Sequence, residues 1–223
     1  MSSPPRARLL LVRHGETDDN KNLVFQGQEG VGLNARGREQ AALLGARLAS
    51  AKERPAALYT SDLARARETA EILGRALALE PVLDADLREI YLGAWQGLSH
   101  AEIAARFPDE WAAWRAGKDL RRGGGETYAE LTERLTRAMN RIAAAHAGAA
   151  ALVVSHGAAL KTFAGHVLGM APGCVTWLRS FRVPENTGVS VVERDAEGFR
   201  IAVWGDAAHL RDGVAEALGG PAA

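Results

Sequence analysis

The chain has 223 residues, of which 47% are hydrophobic and 24% are charged, and its 27 basic residues balance 27 acidic ones. This length is enough to bury one substantial hydrophobic core, or at most two small ones. The net charge of zero argues against a nucleic-acid or anionic-membrane partner, because either would require a basic face. A local basic pocket is compatible with this balance.

The sequence also bears on the compartment of the protein. Cys174 is the single cysteine, which excludes an internal disulfide and a zinc site built from several thiolates. The N-terminal region has no secretory h-region, and no window approaches the roughly 18 continuous apolar residues of a membrane span. We therefore expect a cytoplasmic protein.

The first half of the chain alternates predicted strands and helices. Asn34 can cap the first helix, and Ser61 or Asp62 can cap the second. Apolar residues recur at helical spacing along both of them. The predicted elements are a strand over 8–12, a helix over 35–50, a strand over 56–60, a helix over 61–78 and a strand over 81–83.

The second half continues this alternation after an irregular, largely helical stretch. Two capping boxes, Ser99 with Glu102 and Thr127 with Glu130, predict helix starts. The predicted elements are short helices over 99–107 and 108–117, a long amphipathic helix from residue 127, a strand over 150–155, a helix over 158–169, and two antiparallel strands over 187–194 and 199–204.

This order of elements predicts an α/β fold with a mostly parallel central sheet, because parallel strands need crossover connections between them. No repeat or linker divides the chain, so we expect one domain spanning residues 1–223. Residues 95–126 interrupt the alternation with short helices, Trp111, Trp114 and a glycine-rich exit. Such an excursion is typical of a lid or a wall of a substrate site.

Polar residues follow three of the predicted strands. The first strand runs into Arg13 and His14, the second precedes a helix that carries Arg65, and the fourth runs into His156. Ligands of open parallel sheets bind beyond the carboxyl ends of the strands. We therefore expect these two guanidiniums and two imidazoles to meet in one place.

Such a cluster suits a phosphate dianion. Guanidinium groups bind phosphate oxygens in pairs, and helix N-termini add backbone N–H donors. Gly15 and Gly157, each next to a histidine, let the backbone approach closely. A neutral His14 would be able to attack phosphorus and form a phosphohistidine. Glu89 would protonate the departing alkoxide, provided that desolvation or the bound dianion favours its protonated form.

The remaining histidines and two further arginines are explained by solvation or by local pairing. Arg67 and Arg88 are predicted to be solvated or paired with acids such as Glu71 and Glu89. The histidines without a setting comparable to that of the strand ends are His100, His146, His166 and His209.

As a set, several segments of the chain resemble the histidine phosphatase superfamily, in the branch that includes the cofactor-dependent phosphoglycerate mutases. They follow the order of the family and read "LVRHGET", "GLNARGREQA", "YTSDLARARETA", "LREIYLGAWQG" and "VVSHG". The resemblance implies a three-layer αβα sandwich, a phosphohistidine intermediate, and neither a metal nor an organic cofactor. It also implies a small phosphorylated substrate.

The resemblance further implies roles for individual residues. His14 would be the nucleophile and Glu89 the proton donor. The residues that would complete the phosphate pocket are Arg13, Arg65 and His156, and the candidate phosphate- or substrate-binding residues are Asn20, Gln26, Gly27 and Gly157. The sequence departs from the family at Asp19 and Gln96, which would alter the rim of the site rather than its chemistry.

Three functions are compatible with these residues. The short excursion with its "GGGE" turn resembles the phosphatases of the family and predicts a phosphomonoesterase that acts on a small metabolite. Arg121 and Arg122 leave room for a second anionic group, so a cofactor-dependent phosphoglycerate mutase is the alternative. A non-catalytic phospholigand-binding module is disfavoured, because His14 and Glu89 are both present. The sequence leaves the oligomeric state open, a homodimer included.

Overall fold

The computed structural model describes residues 6–211, and within them six strands form one central sheet. In their order across the sheet, these strands are β4 (Pro81–Leu83), β3 (Ala57–Thr60), β6 (Ala150–Ser155), β1 (Ala7–Arg13), β7 (Val189–Arg194) and β8 (Phe199–Asp206). Two short strands, β2 (Val24–Phe25) and β5 (Leu98–Ser99), pair with each other outside this sheet.

Helices follow most of the strands. They are α1 (Asp18–Lys21), α2 (Ala35–Ala49), α3 (Ala64–Leu77), α4 (His100–Arg106), α5 (Pro108–Arg115), α6 (Tyr128–Ala145), α7 (Gly157–Val167) and α8 (Val175–Ser180), with single 3-10 turns at Ala85–Leu87, Gly93–Trp95 and Arg122–Gly124. Within residues 6–211, none of the helices combines the length and the apolar character that crossing a bilayer requires.

The pairing of the strands confirms the predicted α/β fold. β1 and β3 both pair in parallel with β6, and β4 pairs in parallel with β3. β7 and β8 add an antiparallel edge, as the sequence predicts for the last two strands. The three strands predicted to end in chemically active residues, β3, β6 and β1, are therefore neighbours that point in the same direction.

Helices cover both faces of the sheet, which confirms the three-layer arrangement. Successive side chains of a strand point to opposite faces, and the residues of β1 follow this rule. Leu9 and Leu11 pack with apolar side chains of α6 and α7 on one face. Val12 packs with apolar side chains of α2 and α3 on the other face. All three side chains are fully buried, so the ends of the central strands rest on two packed cores.

The predicted excursion over residues 95–126 folds around an aromatic cluster. Trp95 is fully buried, and its ring centroid lies 6.2 Å from that of Phe25, 5.9 Å from that of Trp111 and 6.1 Å from that of Trp114. Aromatic pairs at such separations stabilise beyond their buried area alone. The tryptophans of the excursion therefore hold α5 against the body of the molecule.

Side-chain caps define the starts of several helices as predicted. Asn34 accepts a hydrogen bond from a backbone N–H in the first turn of α2. Ser99 with Glu102 caps α4, and Thr127 with Glu130 caps α6, each as a reciprocal capping box. These caps depend only on residues three positions apart, and local sequence is sufficient to predict them.

The predicted cap of α3 is wrong, and so is the predicted partner of Arg88. α3 begins after Leu63, and none of the described side chains caps it. Asp62 instead accepts a hydrogen bond of 2.6 Å from Nε of Arg88, and Oγ of Ser61 lies 2.8 Å from Nε2 of His156. Contacts between distant segments thus take both candidate caps away from the helix.

Candidate active site

A cavity of about 210 Å³ opens at the carboxyl edge of the central sheet. Eight of the nine residues that the sequence marks for phosphate chemistry line it, namely Arg13, His14, Asn20, Gln26, Gly27, Arg65, Glu89 and Gly157. The ninth, His156, is buried next to it. The other lining residues are Val24, Phe25, Ile90, Leu92, Arg122, Tyr128, Ala158 and Val183.

Two hydrogen bonds determine the tautomer of His14. Nδ1 lies 2.7 Å from the carbonyl oxygen of Gly15, and because a carbonyl can only accept, Nδ1 carries the proton. Nε of Arg65 donates to Nε2 of His14 at 3.3 Å, and because a guanidinium can only donate, Nε2 keeps its lone pair. The nitrogen of the imidazole that carries the lone pair is therefore Nε2, on the side of Arg65.

The surroundings of His14 keep its imidazole neutral. Burial lowers the pKa of His14 well below the ordinary 6.5, and the nearby guanidiniums of Arg65 and Arg13 lower it further. A third cation beside these two guanidiniums would be repelled in a buried site. His14 consequently presents a lone pair, rather than a proton, at neutral pH.

Arg65 is a buried cation held by the backbone. Its side chain is 2% exposed, and it donates to the carbonyl oxygens of Glu29 at 2.8 Å and Gly27 at 2.7 Å. Burial lowers the pKa of Arg65 to about 10, although Glu89 opposes the shift. Arg65 thus remains protonated at neutral pH, with its Nε–H directed at Nε2 of His14.

Arg13 is the last residue of β1, and its side chain lies next to Gly157. Its Nη1 donates to the carbonyl oxygen of Pro184 at 2.9 Å, and burial lowers its pKa from the ordinary value. A Cβ on Gly157 would lie 3.4 Å from Nε of Arg13 and 3.0 Å from a methyl of Val183. The tighter of the two contacts is the one with Val183, so a side chain at 157 would displace Val183 before it crowded the guanidinium.

Gly15 has a different reason to lack a side chain. A Cβ at this position would lie 2.5 Å from the carbonyl oxygen of Gly37 in α2, and the N–H of Gly15 donates to Oγ1 of Thr69 in α3 at 3.0 Å. The loop after β1 is thus pinned between two helices. The sequence predicts a close approach of the backbone at Gly15, and the structure shows that this backbone lies close to helix α2 of the protein itself.

His156 lies beside His14 but is not among the residues that line the cavity. The centroids of the two rings are 5.2 Å apart, and Nε2 of His156 lies 2.8 Å from Oγ of Ser61. Among the described residues, Nδ1 of His156 has no hydrogen-bond partner. Burial, together with the positive charges of neighbours including Arg65, lowers the pKa of His156 well below 6.5. Its role as a phosphate ligand stays a prediction.

Glu89 brings its carboxylate to the N-terminus of α7. Oε2 accepts from the N–H of Ala158 at 3.0 Å, and Oε1 accepts from the N–H of Ala159 and of Ile90 at 2.9 Å each. Helix N-termini attract negative charge in this way.

Across residues 6–211, no group of three or more His, Cys, Asp or Glu side chains is arranged to hold a metal ion.

Sequence reasoning missed Arg134, which holds the loop that carries Glu89. Arg134 forms an ion pair of 2.7 Å with Glu126, and both side chains are largely buried. It also donates to the carbonyl oxygens of Asp86 at 2.9 Å, Arg88 at 2.8 Å and Glu89 at 2.9 Å. Nothing in the helical pattern around position 134 distinguishes it from a solvated arginine, so no local signal could have found it.

Asn186 is a second residue that sequence reasoning missed. Its Nδ2 donates to the carbonyl oxygen of His14 at 2.9 Å and to Oδ1 of Asn20 at 3.2 Å. The N–H of Thr17 also contacts Oδ1 of Asn20, at 3.3 Å. Because Oδ1 is engaged twice, the NH2 group of Asn20 is the end that can donate to a ligand.

The fold and the cavity define an α/β sandwich whose sheet edge is built to bind an anion next to a neutral histidine. Residues 9–207 match the family model of the histidine phosphatase superfamily, branch 1. The chain belongs to this superfamily, and the resemblance of its motifs is confirmed.

Relatives with assigned names cover most of the chain. Phosphoglycerate mutase-like protein 4 of Arabidopsis thaliana is 36% identical over 92% of this chain and 88% of its own length. A metal-independent phosphoserine phosphatase of the same plant is 35% identical over 91% of this chain and 82% of its own length. A mycobacterial glucosyl-3-phosphoglycerate phosphatase complexed with VO3 aligns with a TM-score of 0.77 and 28% identity, over 91% of this chain and 99% of that one.

The two buried imidazoles predict that the protein loses stability on acidification. His14 and His156 stay neutral in the folded protein because their pKa values are depressed, whereas each takes up a proton in the unfolded chain below about pH 6.5. The unfolded state then binds more protons, so the free energy of unfolding falls as the pH drops below this value. Between pH 7.0 and 5.5 we expect each histidine to contribute a loss of about 1.2 kcal/mol.

Urea unfolding at pH 7.0 and pH 5.5 measures this loss for the wild type and for a His156→Gln variant. The variant should lose about 1.2 kcal/mol less than the wild type, because one of the two titrating groups is gone. Equal losses in both proteins would mean that His156 is not held neutral by its surroundings.

Proposed function

We propose that the chain is a metal-independent phosphomonoesterase that hydrolyses a small phosphorylated metabolite through a phosphohistidine on His14. One observation carries this proposal. The lone pair of Nε2 of His14 faces the permanent cation of Arg65, and Arg13 and the carboxyl group of Glu89 line the same cavity.

In the first step, the phosphoryl group of the substrate lies among Arg13, Arg65 and His14. Nε2 of His14 attacks phosphorus, and the bond between phosphorus and the ester oxygen breaks. The carbonyl of Gly15 accepts the Nδ1 hydrogen bond and so stabilises the positive charge that the ring acquires. The guanidiniums are already fixed by backbone carbonyls, so they stabilise the transferring group without reorganising.

Glu89 completes this step by giving a proton to the departing alkoxide, which leaves as an alcohol. In the second step a water molecule attacks the phosphohistidine, and the carboxylate of Glu89 takes a proton from that water. The N–P bond breaks, the electron pair returns to Nε2 of His14, and inorganic phosphate is released. Both catalytic groups are then restored to their starting protonation states.

The names of the relatives support a phosphatase more strongly than a mutase. Two of the three similar proteins carry phosphatase names, one for phosphoserine and one for glucosyl-3-phosphoglycerate. The cavity of about 210 Å³ is smaller than the roughly 300–1,000 Å³ of typical ligand pockets, which favours a small substrate. The mutase alternative is retained because the third relative is named a phosphoglycerate mutase-like protein.

Replacing the nucleophile tests the covalent mechanism. His14→Ala should lower kcat for p-nitrophenyl phosphate by about 10³-fold or more, because no other group supplies the attacking lone pair. Quenching in alkaline detergent after mixing with a ³²P-labelled substrate should trap protein-bound phosphate in the wild type only, and this phosphate should be stable in base and released by acid. A His166→Ala variant, altered at an exposed histidine of α7, should behave as the wild type. Undiminished turnover in His14→Ala would exclude the mechanism.

Replacing the proton donor tests the second role. Glu89→Gln should lose about 10²–10⁴-fold in kcat/KM on alkyl phosphates, whose alkoxides must be protonated to leave. The loss in kcat/KM on p-nitrophenyl phosphate should stay below about tenfold, because nitrophenolate is a good leaving group and kcat/KM reports the steps up to the phosphohistidine, not its hydrolysis. Glu133→Gln, at an exposed position of α6, is the control and should leave both rates unchanged. Equal losses on both substrates would argue against Glu89 as the acid.

A product assay separates hydrolysis from phosphoryl isomerisation. With 3-phosphoglycerate as substrate, we expect release of inorganic phosphate that does not depend on added 2,3-bisphosphoglycerate. A mutase would instead form 2-phosphoglycerate, and the bisphosphate would accelerate it. Efficient isomerisation with negligible phosphate release would replace the phosphatase proposal by the mutase alternative.

A further inference from the structure

Arg122 is a buried side chain of the cavity for which the reaction described above has no use. Its side chain is 2% exposed and lines the cavity. Arg121, its neighbour in the sequence, is exposed and pairs with Glu130. The two arginines that the sequence presents as a pair therefore lie in different environments, and only Arg122 reaches the site.

The contacts of Arg122 hold it in place without neutralising it. Its Nη1 donates to the hydroxyl of Tyr128 at 3.2 Å, and its guanidinium carbon lies 4.4 Å from the centroid of the Tyr128 ring and 5.9 Å from that of Trp114. Aromatic faces attract a cation but carry no net charge. Among the described residues no carboxylate forms an ion pair with Arg122, and a buried charge without a counterion is costly.

The atoms of Arg122 that lack partners indicate what its ligand looks like. Nε and Nη2 are buried and have no hydrogen-bond partner among the described residues. Their two N–H bonds project side by side from one edge of the planar guanidinium. This edge matches the two oxygens of a carboxylate, which accepts both hydrogen bonds in parallel.

The rest of the cavity restricts where such a carboxylate can come from. One part holds His14 and Arg65, which the proposed function assigns to the phosphoryl group, and apolar side chains such as Phe25 and Leu92 line other parts. The cavity of about 210 Å³ leaves little space beyond a few carbon atoms between two anionic groups. A single small molecule with a phosphate and a carboxylate would satisfy both.

We propose that Arg122 binds a carboxylate of the substrate, so that the enzyme prefers small phosphomonoesters that also carry a carboxylate. This inference rests on the proposed phosphatase function and adds the substrate class to it. Arg122 then acts as a specificity-determining residue. A substrate without the carboxylate leaves the two N–H groups unpaired in a buried site. Sites of this kind strongly reject an analogue that lacks the hydrogen-bonding group.

Two pairs of substrates test the preference in the wild type. O-phosphoserine and O-phosphoethanolamine differ by the carboxylate alone, and 3-phosphoglycerate and glycerol 3-phosphate differ by a carboxylate in place of a hydroxymethyl group. We expect kcat/KM to be about 100-fold higher for the carboxylated member of at least one pair. Ratios near one in both pairs would overturn the proposal without any mutagenesis.

Variants then assign the preference to Arg122. In Arg122→Gln the ratio of the two kcat/KM values should fall to within about threefold of one, and Arg122→Lys should recover only part of it, because an ammonium lacks the fork. The ratio is the readout because a general loss of folding or catalysis lowers both values together. Arg121→Gln should keep the wild-type ratio. An unchanged ratio in both Arg122 variants would overturn the assignment.

A binding experiment keeps this inference separate from the phosphatase proposal. Calorimetric titration of the His14→Ala protein with O-phosphoserine and with O-phosphoethanolamine requires no turnover. We expect the His14→Ala protein to bind the carboxylated ligand more tightly, and the His14→Ala/Arg122→Gln double variant to lose this difference. That result supports the carboxylate site even if the wild type hydrolyses none of the phosphomonoesters. Equal affinities of the His14→Ala protein for the two ligands would refute the carboxylate site. If the wild type hydrolyses p-nitrophenyl phosphate, the phosphatase proposal would remain intact.

Discussion

Positive charge and neutral imidazole are crowded together at the carboxyl edge of the central sheet. The buried guanidinium of Arg65 donates directly to Nε2 of His14, and Arg13 lies within electrostatic reach of the same ring. Because a further cation would be repelled there, the imidazole stays neutral and keeps its lone pair on Nε2, where it accepts the hydrogen bond of Arg65. The guanidiniums of Arg13, Arg65 and Arg122 outnumber Glu89, the one acidic residue among the described residues that line the cavity. The placement of the surrounding loops and helices depends on holding these few groups close together.

The charged groups of the cavity are held by backbone contacts from segments that are remote in the sequence. Carbonyl oxygens of the loop after β2 fix Arg65, and that of Pro184 fixes Arg13. Arg134 collects three carbonyl oxygens of the loop that ends in Glu89. Such contacts leave these charged side chains little freedom, so their orientation is already set in the folded protein. This is the arrangement that electrostatic stabilisation of a transferring phosphoryl group requires.

The cavity combines groups from the sandwich with a wall that comes from the excursion. His14, Arg65 and Glu89 lie on or beside the central strands and the helices that follow them. Arg122 and the aromatic cluster around Trp95 belong to the excursion between the central strands. A fold can host many substrates by varying such segments, because function resides in the site rather than in the architecture. The excursion is therefore the part of this molecule in which substrate preference is expected to lie.

Local patterns in the sequence determined most of the elements, although not α1, β2, β5 and α8, and they also determined the capping boxes at Ser99 and Thr127 and the sheet edge at which the predicted site residues lie. These features depend on near neighbours in the chain and on the common direction of parallel strands. Only the tertiary structure decided that Asp62 binds Arg88 instead of capping a helix, that His156 lies behind the cavity lining, that Arg134 supports Glu89, and that Arg122 is buried while Arg121 is exposed. Each of these outcomes is a contact or a burial set by segments that meet through folding, and periodicity within one segment carries no information about its distant partners.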